Sequence, residues 1–199
     1  MFVWLKGKVE EEPKDPFKWL CLHHGGKVRE EREARGKKIV CKDVLISVKP
    51  KEFNWAVREA WKYHDEPVEA EYRMRWGMLS VFLNKRPDVD FCSERSGSLE
   101  LVMGAEFEGD EEEIVDIEDK IYDYIDKMVE NYRGLGWLNV TGHCLSNGKC
   151  YVYVRAGMPI KYFESFDDFL GTVEYAAESA FDEVLGGRGY RYVNFEEEI

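Results

Sequence analysis

A chain of 199 residues is long enough for one hydrophobic core, or for two small ones sharing an interface. Its 44% hydrophobic and 14% aromatic content exclude a disordered chain, and charges interrupt every apolar run before the roughly 20 residues that a membrane helix needs. A net charge of −12 disfavours general affinity for nucleic acid.

In chain order, residues 2–9 read as a short strand, followed by a polar, Pro-containing connection over 10–16. Residues 17–24 form a second strand candidate, stopped by Gly25 and Gly26. The almost entirely charged stretch 27–38 belongs at the surface, as an exposed helix turn, a hairpin arm or a loop. Residues 39–48, rich in Val and Ile, read as a strand. Pro50 then opens a helix, where its missing N–H costs nothing. Phe53, Val57, Ala60, Trp61 and His64 give it one apolar face, and Pro67 ends it.

Residues 68–84 alternate, with Tyr72, Met74, Trp76 and Met78 on one side and Glu71, Arg73 and Arg75 on the other. That predicts one half-buried strand bent at Gly77. A loop over 85–97 leads to a strand over 98–107. A long helix is expected over 111–133, with Ile114, Ile117, Ile121, Tyr124, Ile125, Met128 and Tyr132 as its buried stripe. Glu111, Glu112 and Glu113 lie in its first turn, where the helix dipole favours negative charge, and Gly134 and Gly136 stop it. A last helix is expected over 165–185, with Ser165 and Asp168 resembling a capping box. Its core face holds Phe169, Val173, Ala176, Ala177, Ala180, Phe181 and Val184, and residues 190–195 offer a final strand.

No alternating βαβ rhythm runs through this order, so the expected class is α+β: antiparallel sheet packed against two or three amphipathic helices. Residues 1–199 read as a single domain, or as a basic-to-neutral strand-rich lobe (1–109) and an acidic helix–hairpin–helix lobe (110–199). Lys/Arg against Asp/Glu number twelve and eight in 1–50, eight and twelve in 51–109, and eight and twenty in 110–199. Gln is absent, Thr occurs only twice, and 34% of residues are charged, a composition expected of a heat-adapted protein. The first residues lack the basic–apolar–small order of a signal peptide, so a cytoplasmic location is expected. A heat-adapted cytoplasm is a setting in which intracellular disulfides persist.

The hairpin over 137–156 carries the most local information. Leu138, Val140, Gly142 and Cys144 share one face of its first strand, and Cys150, Val152, Val154 and Ala156 share one face of its second. Putting both apolar sets on the same side of the sheet requires facing residue numbers with an even sum. A three-residue loop, Ser146-Asn147-Gly148 with Gly148 left-handed, satisfies this, whereas a two-residue Asn147-Gly148 turn does not. Cys144 then faces Cys150, a geometry open to a disulfide or to two buried thiols.

Other chemistry is thin. Cys21, His23, His24 and His143 are soft-ligand candidates for zinc, but their spacings match no standard pattern, and no metal or cofactor is expected. Cys92 and His64 carry no local signature of nucleophilic catalysis. Pro87-Asp88 and Glu118-Asp119-Lys120 have the residue types of a nuclease metal motif, but Glu118 falls inside the predicted long helix rather than on a strand. The two Gly-rich pieces, at 24–27 and 185–189, lack phosphate-loop spacing.

Two surfaces suggest partners. Asp116, Asp119, Asp123, Asp126 and Glu130 recur at alternating three- and four-residue steps, an acidic stripe suited to a basic protein, with a solvated face as the bland alternative. Arg29, Arg32, Arg35, Lys37 and Lys38, with Arg73 and Arg75 on an aromatic strand, are the residue types that bind nucleic acid, though Glu30, Glu31 and Glu33 offset them. No run of residues resembles a known family. The expected function is therefore non-catalytic binding of a macromolecule, a protein partner or a second copy. The alternatives are nucleic-acid binding through the basic N-terminal segment, and an enzyme whose site is assembled from residues distant in sequence.

Overall fold

The computed structural model describes residues 14–44 and 49–197. The strand expected over 2–9 and the end of the one expected over 39–48 lie outside them.

Asp15 caps the first described helix, α1 (Pro16–His23), its carboxylate accepting the Phe17 N–H at 2.9 Å. The sequence reading made this a strand; the structure corrects it. Pro16 sits in the first turn, where helices tolerate it, and Phe17, Leu20 and Cys21 recur at helical spacing to form the buried side. The charged stretch that follows is a hairpin, β1 (Lys27–Glu33) and β2 (Gly36–Lys42). Helix α2 (Pro50–Tyr63) then crosses over to β3 (Val68–Arg73), which pairs with β2 in parallel. This is the one βαβ unit in a sheet whose other described pairings are antiparallel.

The long strand expected over 68–84 is two strands. β3 turns back into β4 (Met78–Leu83) through Met74, whose N–H donates to the Gly77 carbonyl at 2.9 Å. The turn breaks the alternation: Tyr72 and Met74 are buried among the helices, while Met78 pairs with Arg73 and shares its opposite face. β5 (Gly97–Glu108) leads into α3 (Glu111–Val129), whose N-terminus carries a reciprocal capping box between Asp110 and Glu113. The hairpin β6 (Trp137–Cys144) and β7 (Lys149–Pro159) has the three-residue loop, with Gly148 at φ 86° and Leu145 paired to Lys149.

A 3-10 turn (Ile160–Ser165) precedes α4 (Phe166–Leu185). Because that turn already winds the chain into Ser165, Ser165 makes no side-chain cap, contrary to the expected capping box. The final strand is only β8 (Arg191–Tyr192), paired with β5.

The fold is α+β: an eight-stranded, mostly antiparallel sheet ordered β1-β2-β3-β4-β5-β7-β6, with β8 beside β5, and four α-helices among the described residues. The order helix–hairpin–helix occurs twice, as α1-β1-β2-α2 and α3-β6-β7-α4. Phe53 of α2 and Phe166 of α4 meet in the core with ring centroids 3.9 Å apart.

All four helices pack on one face of the sheet, in a single core with Ile39, Tyr72, Val81, Leu101, Val152 and their neighbours. Among the described residues the other face has no helix over it. Part of it is covered by the C-terminal segment, where Val193 and Phe195 pack on Val102 with Met78, Tyr151 and Tyr153. No helix among the described residues is long and apolar enough to cross a membrane.

Candidate functional site

Helix α3 lies over the β6 end of the sheet and presents acids in two directions. Toward the sheet, Glu118 accepts the Gly142 N–H at 2.6 Å and Glu111 accepts the Cys144 N–H at 3.2 Å. β6 is an edge strand among the described residues, so these carboxylates satisfy amides that would otherwise offer a template for another strand.

Toward solvent lie Asp116, Asp119, Asp123, Asp126 and Glu130, all exposed. Asp116 pairs with Lys120 at 2.7 Å. The other four make no ion pair or hydrogen bond among the described residues. Three residues expected in the buried stripe of this helix are not fully buried. The helix ends at Val129, short of the expected 133, so half-buried Tyr132 lies beyond it; within it Met128 is 40% exposed and Tyr124 half-buried, because its last two turns bury Ile125 and Val129 instead. Val184, expected in the core face of α4, is likewise half-buried, and Leu185 takes the core position.

These displaced apolar groups meet. A groove of about 600 Å³ runs between α3 and α4, lined by Tyr124, Met128 and Val184 with Lys120, Asp123, Lys127 and Glu183. Further along α4, burial and the neighbouring Glu178 charge raise the Glu174 carboxyl above its ordinary value. Val115, Tyr122 and Tyr175 add exposed apolar surface on the same two helices.

The helix-free face of the sheet is different in kind, because its charges face one another. Glu71 is almost fully buried. Burial pushes its carboxyl up, but hydrogen bonds from Lys38 at 2.7 Å and Arg73 at 2.9 Å outweigh that and hold it below the ordinary range. Burial raises Glu69 beside it. One row of side chains crosses six strands: Val40, Glu71, Ser80, Glu100, Gly157 and Trp137. Gly157 lets the Trp137 ring lie over it, and the indole N–H donates to Glu100 at 3.3 Å, where Arg155 pairs as well at 3.2 Å. The depression here is shallow, about 250 Å³.

Most of the basic segment is neutralised in the same way, Arg35 alone of its five candidates making no ion pair among the described residues. Arg29 faces Glu31, Arg32 faces Glu66, Lys37 faces Glu30, and Lys38 faces Glu71. Of the nucleic-acid candidates on the aromatic strand, Arg75 reaches Glu196 at 3.5 Å.

The cysteine and histidine candidates separate. Cys144 and Cys150 face each other across the hairpin with sulfurs 1.99 Å apart. Cys21 lies at disulfide distance, 1.95 Å, from Cys41 on β2, and Gly26 packs against both sulfurs. Cys21 is therefore not available as a metal ligand. His143 stacks on Tyr151 on the helix-free face, whereas His23 and His24 both reach Glu52 of α2. Sequence spacing had no means of finding Glu52, which is 28 residues from His24. His64 and Asp15, nearly fully buried, face each other at 3.1 Å where the end of α2 meets the start of α1. Cys92 is exposed in the loop before β5.

No protein-family model, curated protein or solved structure matches the chain.

Proposed function

We propose that the protein is a non-catalytic binding protein whose α3–α4 face docks a basic, amphipathic segment of a protein partner. One observation carries this reading: an acidic stripe, four of whose five carboxylates make no ion pair or hydrogen bond among the described residues, runs beside a groove lined by Tyr124, Met128 and Val184 together with Lys120 and Lys127. The net negative charge is concentrated in the half of the chain that holds this face. Residues 110–199 alone hold twenty acids against eight bases. Such a field steers a basic partner and fixes its register, while apolar anchors entering the groove supply the contact that outlasts the encounter.

The nucleic-acid alternative has less support, because four of the five basic residues of the N-terminal segment, Arg29, Arg32, Lys37 and Lys38, already face glutamates. As to setting, the composition suits a heat-adapted host. Two cysteine pairs at disulfide distance suit either an oxidising compartment or a hyperthermophile cytoplasm, where intracellular disulfides persist.

The test is titration calorimetry with a synthetic helical peptide carrying Leu at positions i, i+3, i+4 and i+7 and Lys elsewhere. Binding is expected at low salt, weakening as added salt shortens the screening length toward about 10 Å at 0.1 M. It should fall further in the Asp119→Asn/Asp123→Asn/Asp126→Asn variant. Equal affinity in that variant and the parent would remove the proposal.

A further inference from the structure

At the opposite end of the sheet, α1 packs on β1, β2 and α2, and there three metal-ligating side chains converge. Neighbouring residues on a continuous helix point about 100° apart, since it has 3.6 residues per turn, so adjacent histidines do not ordinarily share a target. Here the helix ends between them. His23 is the last residue of α1, and His24 is its C-cap at φ −95° and ψ 16°. The two rings meet edge to face, with centroids 5.2 Å apart. Both present Nε2 to one carboxylate, that of Glu52 in the first turn of α2: His24 at 2.7 Å from Oε2 and His23 at 3.8 Å from Oε1. One donor atom from each residue lies within 4.8 Å of the other two.

The cluster is held from behind. Cys21, two residues before His23, is tied to β2 through Cys41, and Gly25 turns the chain immediately after His24 with φ 78°. Trp19 stacks on the His23 ring with centroids 4.6 Å apart and planes 12° from parallel, and Trp55 closes on Trp19 at 5.1 Å. The His24 side chain is only 8% exposed and Glu52 24%, so the donors are shielded while His23, at 49%, opens to solvent.

We propose that His23, His24 and Glu52 bind a zinc ion, two imidazoles and one carboxylate serving as protein ligands with a fourth position open to water. Imidazole donors favour zinc over magnesium or calcium, which take all-oxygen sets. Bond lengths near 2.0–2.2 Å in a tetrahedral site put donor atoms about 3.3 Å apart. Shifts of about an ångström from the present arrangement reach that geometry, with zinc taking the place of the direct His24–Glu52 contact. The ion would join α1 to α2, independently of the docking face on α3.

Tag-free protein titrated with Zn²⁺, and separately with Co²⁺ followed by visible absorption, tests this. One equivalent is expected per chain, with a tetrahedral Co²⁺ spectrum and quenching of Trp19 emission. Glu52→Gln and His24→Ala, with folds checked by circular dichroism, should each weaken binding by more than the roughly 10–100-fold that loss of an outer-shell partner costs. His143→Ala, on the other face of the sheet, should change nothing. No saturable binding at micromolar Zn²⁺ would overturn the proposal, as would binding that survives Glu52→Gln or depends on His143.

Discussion

Removing the Cys21–Cys41 link should destabilise the protein more than removing Cys144–Cys150. A cross-link restricts the unfolded chain in proportion to the logarithm of the loop it closes. The separations are 20 and 6 residues, which correspond at 25 °C to about 3.3 and about 2.2 kcal/mol. Context widens the gap. Cys144 and Cys150 end two strands already held in register by a three-residue loop, so little freedom remains for that bond to remove. Cys21 and Cys41 join a helix to a strand, and both are fully buried.

The assay is equilibrium urea unfolding of Cys21→Ala/Cys41→Ala and Cys144→Ala/Cys150→Ala without reductant, followed by Trp fluorescence. For a chain of this size the first variant should also melt lower by about 7–13 °C, at roughly 2–4 °C per kcal/mol. Gly26 supplies an internal check, because a Cβ there would sit 2.7 Å from each of the two sulfurs. Gly26→Ala should therefore be costly in the parent and less so in the Cys21→Ala/Cys41→Ala background, where only the backbone oxygen of residue 21, at 3.0 Å, still crowds the Cβ, a coupling that a double-mutant cycle measures directly. Equal or inverted losses for the two cysteine pairs, or a Gly26→Ala cost that ignores the background, would refute this reasoning.

Three further outcomes follow from the packing. Asp15→Ala removes the α1 cap and leaves buried His64 without its carboxylate; cap loss alone costs about 0.5–2 kcal/mol, so a denaturation midpoint equal to the parent's would contradict it. Gly157→Ala would put a Cβ 1.8 Å from the Trp137 ring. The indole must then leave Glu100, and the overpacking should cost about 1–3 kcal/mol with a change in Trp emission; an unchanged spectrum would count against the stacked arrangement. Glu71 has its carboxyl held below its ordinary value of 4.5 by Lys38 and Arg73. Its stabilising contribution is complete above 4.5 and is lost as pH falls through the lower, folded value. Unfolding curves between pH 6 and pH 3 should be flatter for Glu71→Gln than for the parent, and parallel curves would dispose of the claim.

Long periodic segments were legible in the sequence. The spans of α2 and α4 and the start of α3 follow from recurring apolar positions, though α3 ends at Val129 rather than 133, and the even-sum register argument places Cys144 opposite Cys150, as in the structure. The failures have local causes. Residues 17–24 are apolar enough to pass for a strand, yet Asp15-Pro16 and the 17–20–21 spacing carried the helix signal. In 68–84 a tight turn interrupts an alternation that looks continuous across it, so Met78 lands on the face opposite Tyr72. The parallel β2–β3 pair and the Cys21–Cys41 link depend on how α1 and α2 pack, which no local pattern encodes.

The same limit applies to the candidate sites. The acids of α3 could be read from spacing, but the groove beside them depends on how α3 and α4 pack together. Glu52 joins His23 and His24 only once α2 has crossed the sheet.

The docking face is tested most directly by zero-length carbodiimide cross-linking to the Leu/Lys peptide, with the linked carboxylates located by mass spectrometry. The account predicts linkage concentrated at Asp119, Asp123, Asp126, Glu130 and Glu183. Linkage at Glu69 and Glu100 of the helix-free face, or spread evenly over the forty acidic residues of the chain, would contradict it.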